Sequence, residues 1–286
     1  MNGEPALTYV YAVAAGTSPL RASLAGLRGV GDAPVGILDP GGPDATAPVF
    51  VVSQVPAGQW REEALRSRFE DLAWLEDTAR AHHDVIQALT AHTNVLPLRL
   101  ATLYENDDRA REALRAQQDI FSARLAFLAH HTEYGVKVYV AADTSDDLPA
   151  EPGAQPDLPS PGKAYLRARR AHHHAREDRY QRARQAAERI AEAAALHAAH
   201  AVRHPTQSGP LTHGENGENV LNDAYLVPDE NAGAFRAALA DAGRGLPGIR
   251  IEVTGPWAPY SFAMPPTAQP AAPAADPESG HDRGRT

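Results

Sequence analysis

A strand that continues into a proline-rich aromatic segment restricts the fold of this chain more than any other feature. Apolar and charged residues alternate from Ile249 to Val253, which predicts a strand with one buried face. Pro256 is predicted to end that strand, because proline has no backbone N–H to donate to a neighbouring strand. Residues 255–262, which we call the strap, carry three aromatic side chains: Trp257, Tyr260 and Phe262.

The strap has two possible roles. Aromatic residues make up only 6% of the chain, so three of them within eight residues must dock their rings somewhere. The strap can close the protein's own core, which is the more common role, or it can present a surface to a partner. The sequence leaves both roles open.

Composition narrows the class of protein. The 286 residues allow two domains, and the net charge of −9 gives no indication of nucleic acid or an acidic membrane as a partner. The absence of cysteine excludes disulfides, thiolate catalysis and cysteine-bound zinc. No basic signal region or membrane-length apolar run is present, so we expect a soluble protein of the cytoplasm.

The first 93 residues predict a small α+β domain. Residues 8–14 and 49–52 are apolar on both faces, as buried strands are. Residues 59–93 predict one long helix, because apolar residues recur at steps of three and four. That stripe includes Phe69, Leu72 and His82, and the histidine is therefore predicted to lie in the core.

The remainder predicts a second α+β domain, residues 94–263. Its segments run strand, helix, strand, long helix, strand, helix, strand, beginning with a strand at residues 95–103. Without the long helix, this order is βαββαβ, the ferredoxin-like arrangement. We therefore predict a ferredoxin-like domain with a long helical insert at about 163–204, followed by a disordered tail, residues 264–286.

The predicted long helix is basic. It holds ten Lys and Arg against four Asp and Glu, which predicts a solvated or partner-facing surface. Successive histidines at 172–174 point about 100° apart on a helix and cannot share one ion. His197, His200 and His204 would share one helical face, but no carboxylate or cysteine nearby completes a ligand set. No metal site is predicted.

Motifs of known enzymes are absent. The sequence has no phosphate-binding glycine loop, no nucleophile elbow and no zinc-protease motif, so we predict no catalytic residue, no cofactor and no enzymatic activity. Two alternatives remain. One is a ferredoxin-like ligand- or metal-binding regulator that uses the histidine-rich helix. The other is a nucleic-acid adaptor that uses the same basic helix.

Five short motifs follow one another along the chain. They are His-His-Asp-Val-Ile-Gln at 82–87, Val-Leu-Pro-Leu-Arg at 95–99, Gly-Lys-Ala-Tyr-Leu at 162–166, Asn-Asp-Ala-Tyr-Leu-Val at 222–227 and Thr-Gly-Pro-Trp-Ala-Pro-Tyr-Ser-Phe at 254–262. In this order they resemble the gas vesicle protein F/L family, and the resemblance spans residues 7 to 263. The N-terminal Tyr-Val-Tyr-Ala-Val is also similar to the opening strand of that family. The closing motif is the most specific of the five.

The resemblance implies a non-enzymatic accessory or minor structural protein of gas vesicles, the hollow gas-filled protein shells that give cells buoyancy. It implies a role in nucleation and assembly of the shell, with binding to the small hydrophobic shell protein and to other accessory proteins. The expected location is the cytoplasm and the gas vesicle. Nucleic acid, membrane and small-molecule substrates are not expected as partners.

A hypothesis about the residues that contact the shell protein follows from the resemblance. An apolar shell subunit needs a helper that offers a sheet edge or apolar surface on a charged body. We expect strands 8–14 and 49–55 to supply this contact, with Tyr9 and Phe50 as candidate residues. The strap residues Trp257, Tyr260 and Phe262 are candidates either for a partner contact or for closing the core. The basic helix would meet acidic accessory proteins.

Overall fold

The computed structural model describes residues 5–41, 46–140, 161–206, 217–246 and 248–263. The predicted tail, 264–286, and residues 141–160 before the long helix lie outside the described residues. The helices are α1 (Ser18–Ser23), α2 (Ala57–Trp60), α3 (Glu62–Arg68), α4 (Leu72–Thr90), α5 (Asp107–Ala116), α6 (Gln118–Leu128), α7 (Pro161–Ala195) and α8 (Ala232–Ala242). The strands are β1 (Ala6–Ala15), β2 (Gly36–Leu38), β3 (Pro48–Pro56), β4 (Val95–Pro97), β5 (Leu103–Tyr104), β6 (His131–Val140), β7 (His200–Arg203), β8 (Glu218–Pro228) and β9 (Ile249–Trp257).

The first sheet has the order β2-β3-β1-β4, with β5 also paired to β1. Both central strands are apolar on both faces, as the sequence predicted, because helices cover the two sides. In β1, Tyr9 and Tyr11 face one buried cluster, whereas Val10 and Val13 face another. A register shift between Val10 and Ala12 separates the two halves of the β1–β3 pairing.

The second sheet is antiparallel throughout and has the order β7-β8-β6-β9. The side chains of β8 alternate between two buried clusters, which explains why β8 is an interior strand. Leu221 and Tyr225 face α7 and α8, whereas Ala224 and Leu226 face the opposite side. Together the two sheets establish a mixed α and β protein.

Helices α5 and α6 lie against both sheets. Leu114 and Phe121 share one buried cluster with Phe50 of the first sheet and Leu226 of the second. Helices α1 and α4 cover the other face of the first sheet, and α7 with α8 covers the other face of the second. The two sheets are therefore held together through a common helical layer. Asn106 caps the start of α5, where its side chain accepts a hydrogen bond from the Arg109 N–H at 3.0 Å.

The single long helix predicted for residues 59–93 is wrong. The chain forms three helices, because Arg61 is extended and Asp71 starts α4 as a new N-cap. The Asp71 carboxylate accepts hydrogen bonds from the N–H groups of Ala73 and Trp74, both at 3.1 Å. The break carries Phe69 and Leu72 out of the apolar stripe, and they are 44% and 77% exposed.

The predicted end of the long helix also needs correction. Helix α7 ends at Ala195, and His200–Arg203 forms β7 against β8. Pairing with the free side of β8 outweighs the helix preference of this alanine-rich run. His197, His200 and His204 consequently do not lie on one helical face.

Two strands differ from prediction in their placement. Val95–Pro97 pairs with β1, so this strand belongs to the first sheet and does not open the second. Strand β9 continues through Pro256 to Trp257 and does not end at the proline. Because β9 is an outer strand, the missing N–H of Pro256 costs little there.

Candidate functional site

Buried side chains anchor the strap between the two sheets. Phe262 is 5% exposed and belongs to the cluster that α5 and α6 share with both sheets. Ala258 is 1% exposed and packs in the cluster beneath α4. Arg124 of α6 donates a hydrogen bond to the carbonyl oxygen of Phe262. The strap therefore closes the protein's own core, the first of the two roles predicted from sequence.

A buried carboxylate fixes the position of Ser261. The Ser261 N–H donates to Glu133 Oε2 at 2.8 Å, and the Ser261 hydroxyl donates to Glu133 Oε1 at 2.7 Å. Burial raises the pKa of the Glu133 carboxyl, and the two hydrogen bonds from Ser261 oppose that rise. His204, which follows β7, lies with its Nε2 at 3.0 Å from the Ser261 hydroxyl oxygen.

The outer side of the strap is aromatic and exposed. Trp257 and Tyr260 are 39% and 38% exposed and flank His83 of α4. The His83 ring lies 5.6 Å from the Trp257 ring and 6.2 Å from the Tyr260 ring, centroid to centroid. Burial of its hydroxyl and the nearby Glu133 charge raise the pKa of Tyr260 to about 12, so this surface carries a neutral phenol at physiological pH. We call these three rings the aromatic patch.

A cleft of about 360 Å³ lies beside the aromatic patch, between the end of α4, the start of β6 and the strap. Its walls include Trp257, Pro259 and Asp229. Gln87 also lines the cleft, and its Nε2 is buried without a hydrogen-bond partner among the described residues. The cleft therefore offers a mixed apolar and polar surface next to exposed rings.

Tyr9 and Phe50 are fully buried, so they are core residues and do not form an exposed contact surface. Their strands, β1 and β3, are both interior strands of the first sheet. Phe50 packs against the rings of Tyr104 and Phe121 at 6.0 and 5.9 Å between centroids. The sequence could not distinguish the two cases. A strand that is apolar on both faces can be covered on both of them, or it can leave one face exposed to a partner.

Tyr9 forms a buried polar pair with His82. The Tyr9 hydroxyl accepts from the Ala101 N–H at 3.2 Å and lies 2.8 Å from His82 Nδ1. Burial lowers the pKa of His82 to about 4, with the Leu98 carbonyl acting in the opposite direction. His82 is therefore neutral near pH 7, and its predicted role as a core histidine agrees with this burial.

Helix α7 presents its charge to solvent. Every described side chain from Arg169 to Asp178 is exposed, whereas Ala183, Ala186 and Ile190 are buried against the sheet. His173 and His174 both approach Glu177, with Nδ1 to carboxylate distances of 3.5 Å. Among the described residues, no three histidine, aspartate or glutamate side chains converge as metal ligands. The described part of the chain also contains no helix with the length and apolar character needed to cross a bilayer.

Sequence reasoning missed the exposed corner between α3 and α4. The Phe69 ring lies 6.0 Å from the Trp74 ring in a tilted arrangement, and the Arg68 guanidinium lies over the Trp74 ring at 5.3 Å. A signal existed, because Asp71 followed by Leu72 is a typical start for a new helix. This corner is a second exposed apolar area, separate from the strap.

Comparison with known proteins agrees with this architecture. Residues 7–264 match the family described as gas vesicle synthesis protein GvpL/GvpF. Gas vesicle protein L of Streptomyces sp. (strain CB03234) is 42% identical over 258 residues, which cover 90% of this chain and 92% of the relative. Gas vesicle protein F of the same strain is 28% identical over 267 residues, covering 89% and 98%.

Two crystal structures share the fold. GvpF from Anabaena sp. PCC7120 superposes with a TM-score of 0.58 at 18% identity, covering 91% of this chain and 96% of that one. GvpF from Microcystis aeruginosa gives a TM-score of 0.58 at 16% identity, covering 91% and 99%. The family match extends across both sheets and the strap, and the chain belongs to the gas vesicle synthesis protein GvpL/GvpF family.

Proposed function

We propose that this protein acts in nucleation and assembly of the gas vesicle shell by binding the small hydrophobic shell protein and other accessory proteins. Membership in the GvpL/GvpF family supports a gas vesicle accessory role, and this is not a known enzyme family. The proposed place of action is the cytoplasm, at the growing gas vesicle.

The proposal includes two structural units. The first is the α+β unit built on the first sheet. The second is a ferredoxin-like unit made of β6, α7, β7, β8, α8 and β9, and its strand order supports this assignment. In this arrangement α7 is the unit's own first helix and not an insert, and the boundary moves from residue 94 to about residue 130 because β4 pairs with β1.

The aromatic patch is the observation that carries the proposal. Large rings that are partly exposed yet rigidly held are well suited to bind an apolar partner at small entropic cost. The strap cannot swing away easily, since Phe262 is buried and Glu133 holds Ser261. We therefore assign the shell-protein contact to Trp257 and Tyr260, with Tyr9, Phe50 and Phe262 supporting that surface from the core.

A second contact is proposed on α7. The exposed residues Arg169 and Arg170 lie in the basic stretch, whereas the chain as a whole has a charge of −9. Acidic accessory proteins are the matching partners, and such binding weakens as salt screens the charges.

The test is capture of the purified shell subunit and of accessory proteins at low and high salt. We expect shell-subunit capture to resist salt and to drop at least tenfold in Trp257→Ala with Tyr260→Ala. Capture of accessory proteins should be lost at high salt and in Arg169→Glu with Arg170→Glu. Phe69→Ala, which removes an exposed ring outside the patch, is the matched control. Shell-subunit capture that is unchanged by the strap substitutions would overturn the assignment.

A further inference from the structure

The outer edge of the second sheet is open. Strand β9 pairs with β6 on one side from Ile249 to Thr254, and no strand in the described ranges pairs with its other side. Every second residue of an outer strand directs its N–H and C=O groups away from the sheet. Such an edge can accept another strand, and nothing on β9 before Pro256 blocks it by removing a donor.

A groove runs along this edge. It lies between α8 and β9, has a volume of about 690 Å³, and is lined by Leu239, Ile249, Ile251 and Val253 together with Arg236 and Arg244 at its border. Val253 is 36% exposed. If another strand were added at this edge, its apolar side chains on this face could therefore pack into the groove.

The other face of β9 carries one cation and one anion. Arg250 Nη1 donates to Glu252 Oε2 at 2.9 Å, and the two side chains are 42% and 33% exposed. The Arg250 guanidinium lies 4.3 Å from the centre of the Tyr139 ring. Part of the Arg250 side chain and of the Glu252 side chain stays exposed, so both charges can approach a strand that is added at this edge.

We propose that β9 pairs antiparallel with β9 of a second copy of this chain, with Ile251 opposite Ile251, so that the two sheets join into one continuous sheet. The interface is self-complementary, as a two-fold symmetric contact must be. Each Arg250 lies opposite Glu252 of the other copy and gains a second carboxylate. Ile249 lies opposite Val253 on the groove side.

Sequence and symmetry select this register. A two-fold axis perpendicular to the sheet keeps the groove faces of both copies on one side, so opposite residues must belong to the same face. An axis through Arg250 would place two arginines opposite each other, and an axis through Glu252 would place two glutamates opposite each other. An axis through Ile251 forms two Arg–Glu pairs. It also ends the ladder at residues 248 and 254, before Pro256 has to donate.

The experiment measures the mass of the full chain by sedimentation across a concentration series. We expect the wild-type protein to reach twice its 30.6 kDa mass at the highest concentrations. Arg250→Glu and Glu252→Arg should each remain monomeric, because each places like charges opposite one another. The double variant, Arg250→Glu with Glu252→Arg, should recover the dimer.

Mixing the two single variants is the decisive measurement. One variant presents two glutamates and the other two arginines, so the mixture should form a heterodimer although neither forms a homodimer. The ion pair within one strand cannot be restored by mixing, which separates the interface from fold stability. Arg169→Glu, which makes the same charge change as Arg250→Glu on exposed α7, should dimerise normally, and circular dichroism should show that every variant is folded.

Three results would each overturn the inference. The wild-type chain could be monomeric at every concentration, which would leave the edge for a strand of another protein. The dimer could survive in both single variants, which would place the contact on another surface, such as β7 or α7. The mixed variants could fail to associate, which would exclude this register.

Discussion

The structure holds the strap and the first half of α7 differently. From sequence, the strap was expected to close the core or to meet a partner, and the basic helix to face solvent or a partner. The strap is held by its own buried Phe262, by the buried Glu133 of β6 and by the half-buried Arg124 of α6. The described side chains of α7 from Arg169 to Asp178 are exposed and contact one another more than the core. Buried apolar contacts therefore make the strap part of the fold, whereas the charged first half of α7 stays exposed and open to a partner.

The comparison predicts its largest effect at Phe262. Phe262→Ala removes a buried ring from the cluster shared by both sheets and should lower the free energy of unfolding by about 3–5 kcal/mol. Urea unfolding followed by fluorescence and circular dichroism measures this loss. Tyr260→Ala, at 38% exposure on the same strap, should cost clearly less. Equal losses for the two variants would show that the strap is not anchored through its buried ring.

A second effect should appear on acidification, through His82 on the helix that receives the strap. Its pKa is lowered to about 4 from an ordinary 6.5, so the folded protein resists a proton that the unfolded chain accepts. Its stabilising contribution is complete above pH 6.5 and is lost as the pH falls to about 4, a change of about 3 kcal/mol.

His82→Gln tests this pH dependence, because glutamine keeps an acceptor for the Tyr9 hydroxyl and does not titrate. The difference in unfolding free energy between wild type and variant should shrink by about 3 kcal/mol between pH 7 and pH 4. His173→Gln on exposed α7 is the control and should not remove the pH dependence that His82 supplies. A profile that is identical for wild type and His82→Gln would contradict the burial of a neutral imidazole.

A third and smaller effect concerns the hydrogen bonds of Ser261. Ser261→Ala leaves the buried Glu133 carboxylate with one donor fewer from the strap and should cost about 1.5–3 kcal/mol at neutral pH. The pKa of Glu133 should also rise further, since the Ser261 hydroxyl opposes the effect of burial.

The Glu133 carboxyl itself supplies the matched measurement for Ser261→Ala. Its folded pKa is raised, so its contribution is present below the ordinary value near 4.5 and is lost as the pH rises through the raised pKa. The free energy of unfolding of Glu133→Gln should therefore increase relative to that of the wild type as the pH rises. In the Glu133→Gln background the cost of Ser261→Ala should fall to that of a neutral hydrogen bond, about 1 kcal/mol. A cost that does not depend on the residue at position 133 would contradict the proposed anchor.

Much of this fold could be predicted from local pattern, and the misses have physical causes. Strands β1, β8 and β9 follow from alternation or continuous burial, and Asn106 from its capping chemistry. Strand β7 could not be predicted, because its alanine-rich sequence favours a helix until β8 supplies a partner. The contacts that anchor the strap could not be predicted either, since Glu133 and Ser261 are 128 residues apart in sequence. The sequence showed Trp257 and Tyr260 close together, but not that they flank His83 on an exposed surface.

The smallest effect on stability is expected on α7. Arg169→Glu with Arg170→Glu changes two exposed side chains of α7, and Ala183 is the first buried side chain in the described part of that helix. The unfolding free energy should therefore shift by no more than about 0.5 kcal/mol. Binding of acidic accessory proteins at low salt should nevertheless fall, because the substitutions reverse charge at the proposed contact. Ile190→Ala on the same helix should show the reverse behaviour, with a loss of about 2–5 kcal/mol in stability and no direct change at the basic surface. If the arginine substitutions unfolded the protein, α7 would be anchored along its whole length, as the strap is.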